Sequence, residues 1–124
     1  MLDISALYIG VAALLYIGLA ARIVTQRHAS KTALGDGGDK ELLNRIRAHG
    51  NFIEQVPIAL LLLLLNELNG LSDTYLLALG GTLLAARITH YLMIVSRNLP
   101  IVLRPISMIG TLGVILVSGV ALVV

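Results

Sequence analysis

The run from Ile4 to Ala21 carries no charge, and three further apolar segments follow it in a chain of only 124 residues. A helix crossing a bilayer core about 30 Å thick needs ~20 largely apolar residues. Four such helices nearly exhaust the chain and leave no length for a separate soluble domain. The expected architecture is therefore an all-α membrane protein, one four-transmembrane-helix bundle over residues 1–124. Its spans are expected at about 4–27, 40–69, 72–96 and 104–124. Charged residues make up 13% of the sequence, about half of what soluble domains carry. Lipid, not water, is the expected solvent.

Local chemistry sets the boundaries. The N-terminal segment has Asp3 where a secretory leader would have a basic region, and Arg22 and Arg27 come after the apolar run. It reads as a retained first helix. Residues 28–40 hold Gly35, Gly37 and Gly38 with two aspartates, a turn-rich loop. Asp39 is placed to cap a long second helix that passes through Pro57 and ends near Asn69 and Gly70. Ser72 and Asp73 are placed to cap a third helix running to about Ser96. Residues 97–105 connect it to a last span, from about Ile106 to Val124, that has no ionisable side chain.

Charge is distributed by side. With four spans, the loops near 28–46 and 97–104 share one face, and all nine Lys and Arg residues lie on or toward it. The other face holds Asp3, Glu67 and Asp73 and no basic residue. The positive-inside rule puts both basic loops in the cytoplasm and both termini across the membrane. A pI near 9.3 is explained by this orientation, and no nucleic-acid partner is expected. There are no cysteines, hence no disulfides or thiolate sites, and no metal is expected. Glycines recur in spans one, three and four, where they permit close helix approach in lipid or are simply common.

The segment RAHGNFIEQVP, residues 47–57, puts polar groups on the approach to eight consecutive apolar residues, Ile58 to Leu65. Arg47, Asn51 and Glu54 stand at i, i+4 and i+7, within a narrow stripe of one helical face. Ile58, Leu61 and Leu65 prolong that stripe, while His49 points nearly the opposite way. In the third helix Arg87 and His90 stand at i and i+3, with Ile94 completing the row. Arg87 precedes Arg97 by ten residues, so it sits roughly 15 Å below the cytoplasmic end. A lone Arg there costs about 2.5–3.5 kcal/mol on insertion scales. Glu54 is the acidic residue at comparable depth, and a buried Arg87–Glu54 pair is expected. Arg47, Asn51, His90 and Arg104 exceed what one ion pair requires. Cationic forks, an amide and a carboxylate suit a small zwitterion bearing more than one carboxylate and one amine.

At these residues the sequence resembles the MAPEG family, the membrane-associated proteins of eicosanoid and glutathione metabolism. The matching elements are Arg-x-x-x-Asn-x-x-Glu in RAHGNFIE, the following Pro57, and Arg-x-x-His in RITH. The run GDGGDKELLNRIRAHGNFIEQVP looks like the small bacterial members. The resemblance implies a homotrimer that binds glutathione, as co-substrate, between neighbouring subunits near the cytoplasmic side. It implies that Arg47, Asn51 and Glu54 hold the peptide, with His90 and Arg87 from the third helix. Arg104 stands where transferase members keep an arginine near the thiol, and Arg22 and Arg27 compete for a helix-one arginine role. A fixed cation favours the thiolate of a thiol whose ordinary pKa is about 8.5. The thiolate would attack a lipophilic electrophile drawn from the membrane lipid, or reduce a hydroperoxide. Active members often carry a tyrosine where this sequence has Ile94.

Three functions therefore compete. One is a membrane glutathione transferase or peroxidase. Another is a non-catalytic membrane protein that keeps the pocket as a ligand-binding or structural feature. The third, a small four-helix multidrug transporter, relies on an acidic residue within its first span, and residues 4–21 have none.

Overall fold

In a computed structural model that describes residues 2–96 and 98–124, the chain forms four helices joined by short connections. They are α1 (Asp3–Ser30), α2 (Lys40–Leu68), α3 (Asp73–Val95) and α4 (Leu103–Val123). All four are long and apolar enough to cross a membrane. The protein is an all-α membrane protein. Arg97, counted above with the second basic loop, lies outside the described residues.

α1 continues past its apolar run to Ser30. The stretch ARIVTQRHAS contains neither Gly nor Pro, so nothing in it opposes further helical turns. Lys31 ends it in the left-handed region, at φ 53°. Arg27 then closes the turn, donating from Nη1 to the carbonyls of Gly35 at 2.8 Å and Thr32 at 3.3 Å. Asp39 caps α2 as its position predicts, accepting from the Glu41 N–H at 3.0 Å. It also accepts from Gln26 Nε2 at 2.7 Å, which ties the end of α1 to the start of α2. α2 passes through Pro57 without interruption. Ser72 occupies the N-cap position of α3 but its side chain makes no cap hydrogen bond. α4 starts at Leu103, a few residues before the expected apolar span, with Pro105 in its first turn.

α2 is the organising element. It packs on α1, α3 and α4, whereas α1 and α4 do not meet among the described residues. Its buried face, including Phe52, Val56, Ala59 and Leu63, recurs every three to four residues. Tyr8, Leu63 and Leu76 form one apolar cluster, Ala12, Phe52 and Val56 another, and Ala59, Leu83 and Val114 a third. Lipid tails are as apolar as these side chains, so close van der Waals packing, more than apolar burial, holds such helices together. Two glycines serve that purpose. A Cβ at Gly80 would run into the Tyr8 ring, and one at Gly110 would lie 3.2 Å from Ala86 Cβ. Gly10, Gly18, Gly113 and Gly119 have no such neighbour within the subunit.

α4 turns a polar edge inward. Ser107, Thr111 and Ser118 are buried with Val114. Their spacing of i, i+4, i+7 and i+11 is one helical stripe, and hydroxyls buried between helices in lipid find partners there. On the other side of the bundle Asn66 Nδ2 donates to the Ser118 carbonyl at 2.9 Å.

Candidate functional site

The expected α2 stripe exists, and it faces away from its own subunit. Arg47 and Glu54 are exposed and Asn51 is half-buried. Ile58, Leu61 and Leu65 below them are 45%, 49% and 40% exposed. Asn51 Nδ2 donates to the Arg47 carbonyl at 3.2 Å, a bond within one helical turn. Among the described residues the side chains of Arg47 and Glu54 make no ion pair. His49 lies off the stripe, its ring 5.2 Å from that of Tyr16 on α1. A donor, an amide and an acceptor thus line one ridge whose neighbours must come from outside the subunit.

Arg87 is placed differently from the expectation. It is 4% exposed, and Nη1 donates to Gln55 Oε1 at 2.8 Å, with Thr111 Oγ1 at 3.5 Å. The expected Arg87–Glu54 pair does not form within the subunit. Glu54 and Gln55 are adjacent on α2, so their side chains diverge by about 100°. Packing of Ala59 against Leu83 and Val114 turns Gln55 toward α3 and leaves Glu54 outside. The neutral amide serves Arg87 without a buried carboxylate, whose desolvation is expensive. Gln55 in turn donates from Nε2 to Met108 Sδ at 3.2 Å.

The same interior seam holds His90, which is 2% exposed. Its Nδ1 lies 3.3 Å from Ser107 Oγ, and Ser107 donates to the Arg104 carbonyl at 2.8 Å. Thr111 Oγ1 donates to the Ser107 carbonyl at 3.1 Å. Gln55, Arg87, Thr111, Ser107 and His90 therefore form one polar seam joining α2, α3 and α4. Arg104 sits exposed in the first turn of α4, above that seam. Arg87 Nε and His90 Nε2 are buried without a hydrogen-bond partner among the described residues. Because Ser107 donates to the Arg104 carbonyl, the neutral His90 ring donates from Nδ1 and leaves Nε2 as an acceptor. The seam thus holds one unpaired donor and one unpaired acceptor, an unusual state for buried polar groups.

The two candidate arginines of α1 separate clearly. Arg27 is committed to the loop carbonyls described above. Arg22 lies over the Tyr91 ring, 5.2 Å from its centroid, and 3.8 Å from Glu41 Oε1. Arg45 completes that corner, with Nε 2.8 Å from Glu41 Oε1 and Nη1 donating to the Arg22 carbonyl at 2.7 Å. The single subunit thus gives an outward ridge (Arg47, Asn51, Glu54), a buried seam (Arg87, His90) and separate basic corners at Arg22, Arg27 and Arg104. It does not gather them into one closed pocket. Gln55, Ser107 and Thr111 are the functional neighbours that sequence reasoning missed, and the stripe spacing on α4 was the available signal for two of them.

The stripe of Arg47, Asn51 and Glu54 on α2 and the Arg87–His90 pair of positions on α3 are the motifs singled out in the sequence, though they face different ways. The chain matches the MAPEG family over residues 5–124. It belongs to that family. It is also 43% identical over 89 residues to the inner membrane protein YecN of Escherichia coli K12. That alignment covers 71% of this chain and 67% of the relative. The YecN of Escherichia coli O6:H1 matches to the same extent. No solved structure matches the chain significantly.

Proposed function

We propose that this MAPEG protein binds glutathione at a homotrimeric subunit interface and acts as a membrane glutathione transferase or peroxidase on lipophilic electrophiles. One observation carries the reading: the ridge of Arg47, Asn51 and Glu54 is turned outward on a membrane-spanning helix, with no ion-pair partner among the described residues. Such groups in lipid call for a polar neighbour. A second subunit and a bound peptide with two carboxylates and an amine would together supply it. Arg47 would take a carboxylate through its planar fork, Glu54 the ammonium, and Asn51 the peptide amides.

Arg104, exposed at the start of α4, is suited to lie beside the thiol. A fixed cation there, with the positive end of the helix, favours the thiolate. The thiol proton passes to solvent, and the thiolate attacks an electrophilic carbon with formation of a C–S bond and loss of the leaving group. In the peroxidase variant two glutathiones become one disulfide while a hydroperoxide is reduced to an alcohol and water. His90 and Arg87 then shape the interior wall of the site. Arg22 and Arg27 are the α1 cations that a neighbouring subunit could contribute. The name of the relative supports a bacterial inner membrane as the location, and the one-sided distribution of Lys and Arg is what favours cytoplasmic basic loops with the termini opposite.

A second reading is favoured by Ile94, which stands in place of a family tyrosine, and by the burial of His90 against Ser107. In it the protein keeps the ridge for binding and does no chemistry. Calorimetry with glutathione in mild detergent, followed by turnover of an electrophilic nitroaromatic, separates the two. Binding with turnover supports the transferase, and binding without it the second reading. Absence of binding by an intact oligomer removes both.

A further inference from the structure

α1 and α3 touch where the Tyr8 ring lies against Gly80. Toward the basic-loop end they leave a groove of about 490 Å³ between them, with Phe52 of α2 in its lining. That volume is ample for a small-molecule site, which runs from about 300 to 1,000 Å³. The groove has a direction. Arg22 and Tyr91 line it at the basic-loop end, while Gly18 and Leu14 lie about 6 Å and 12 Å deeper along α1. Arg87 also lines it, about one turn below Tyr91.

Two observations say what such a groove takes. First, Arg87 is 4% exposed, its hydrogen-bonded nitrogen meets a neutral amide, and no carboxylate pairs with it among the described residues. Second, two arginines, Arg22 and Arg87, line the groove, and none of its described lining residues is acidic. Glu41 is bonded chiefly to Arg45, at 2.8 Å compared with 3.8 Å for Arg22. The groove lining therefore carries positive charge beside an apolar throat that runs along the membrane normal.

We propose that this groove holds one anionic phospholipid of the leaflet facing the basic loops. Its phosphate lies against Arg22, the buried Arg87 cation adds attraction from the groove wall, and one acyl chain runs down past Gly18 and Leu14. The groove is distinct from the outward ridge of α2 but shares Arg22 and Arg87 with the proposed glutathione site, so Gly18→Leu, which touches neither, separates lipid retention from glutathione binding. A zwitterionic headgroup would bring an ammonium toward the same arginines and is disfavoured. A free fatty acid is the competing occupant, and palmitate in the test separates the two.

The test uses the full chain in mild detergent, exposed in turn to phosphatidylglycerol, phosphatidylethanolamine and palmitate, with retained molecules counted by native mass spectrometry. One phosphatidylglycerol per chain is expected, held about tenfold more tightly than phosphatidylethanolamine. Gly18→Leu places a side chain in the groove at a position where a Cβ meets nothing within 4 Å, and it should abolish retention while leaving glutathione affinity unchanged. Arg22→Gln should reduce retention about tenfold. If Gly18→Leu does not fold, Leu92→Trp blocks the same groove from α3 and decides the matter. Equal retention of the two phospholipids, stronger retention of palmitate, or retention unaffected by the blocking variants would each overturn the proposal.

Discussion

The Glu67 carboxylate at the end of α2 grips the first turn of α1. Its Oε2 accepts from the Ser5 N–H at 2.7 Å, and its Oε1 accepts from Ile4 at 3.0 Å. Leu2 holds the N-cap position of α1 and offers no capping side chain. A residue more than sixty positions away thus satisfies two of the donors that every helix start leaves open, and its charge complements the helix dipole. This ties the N-terminal helix to the bundle at the face opposite the basic loops. Glu67→Ala should destabilise the protein by about 0.5–2 kcal/mol, the usual range for a lost N-cap, and Glu67→Gln by less. Hydrogen exchange of the Ile4 and Ser5 amides reads the effect directly. Unchanged protection in Glu67→Ala would show that the contact contributes nothing.

Tyr8 and Gly80 predict a second cost at the same end. A Cβ on Gly80 has no room beside the Tyr8 ring, whose hydroxyl is also held by the Leu77 carbonyl at 3.1 Å. Gly80→Ala should cost about 1–3 kcal/mol, the range for overpacking, and Tyr8→Leu should relieve part of it. Gly119→Ala, where a Cβ meets nothing, serves as the neutral control. Unfolding in mixed micelles gives the three values, and equal effects at the two glycines would refute the close-approach argument.

Arg87 and Gln55 provide a test of register. Because Arg87 donates to Gln55 and not to Glu54, a double-mutant cycle between Arg87→Leu and Gln55→Leu should show coupling of about 0.5–3 kcal/mol. The matching cycle with Glu54→Leu should show almost none in dissociated subunits. The reverse pattern would mean that α2 is rotated by one residue from the arrangement described.

That register also separates what the sequence discloses from what it does not. Four spans, the Asp39 cap and the common stripe of Arg47, Asn51 and Glu54 follow from apolar length, turn residues and helical spacing, all of which are local, whereas the direction in which that stripe faces does not. The partner of Arg87 is not local. Glu54 and Gln55 are neighbours, and only the packing of Ala59 between Leu83 and Val114 decides which of them faces α3. α1 runs to Ser30, three residues past the expected span of 4–27, because no Gly or Pro interrupts it after the apolar run ends. Nothing in the sequence linked Glu67 to the start of α1, because that contact depends on which ends of α1 and α2 share a membrane face. Ser107, Thr111 and Ser118 were readable in principle, their spacing being that of one buried face, but hydroxyls give a weaker signal than charge.

The loop clamp should respond to pH in one direction only. The Gln26 amide holds the Asp39 carboxyl below its ordinary value of 3.8, with further help from the Glu41 N–H. A group whose pKa is lowered on folding adds stability above its unfolded pKa, and that stability is lost as pH falls through the folded value. Amides of residues 31–39 should therefore keep constant protection, after correction for intrinsic exchange, down to about pH 4 and lose it below. Asp39→Asn, which keeps an acceptor but cannot titrate, should flatten that dependence. Loss of protection near neutral pH would assign the clamp to some other group.

Assembly through α2 gives the most demanding prediction. The ridge descends from Arg47 through Glu54 to Ile58, Leu61 and Leu65, and all of these are open on the single subunit. If neighbouring subunits cover it, a bulky side chain at Leu61 must force them apart, because well-packed contacts tolerate added volume poorly. Leu61→Trp should weaken the trimer by about 1–3 kcal/mol. It should also lower glutathione affinity, since the peptide would lose the wall that the neighbour provides. Leu116→Trp on α4, a position 67% exposed in the subunit, should leave assembly unchanged to within about 0.5 kcal/mol if that face meets only lipid. Native mass spectrometry across a detergent dilution series measures both. A wild-type protein that stays monomeric while binding glutathione at full affinity would place the peptide inside one subunit, leaving the α2 ridge to face lipid alone. A trimer broken by Leu116→Trp and not by Leu61→Trp would move the interface to α4, away from Arg47, Asn51 and Glu54.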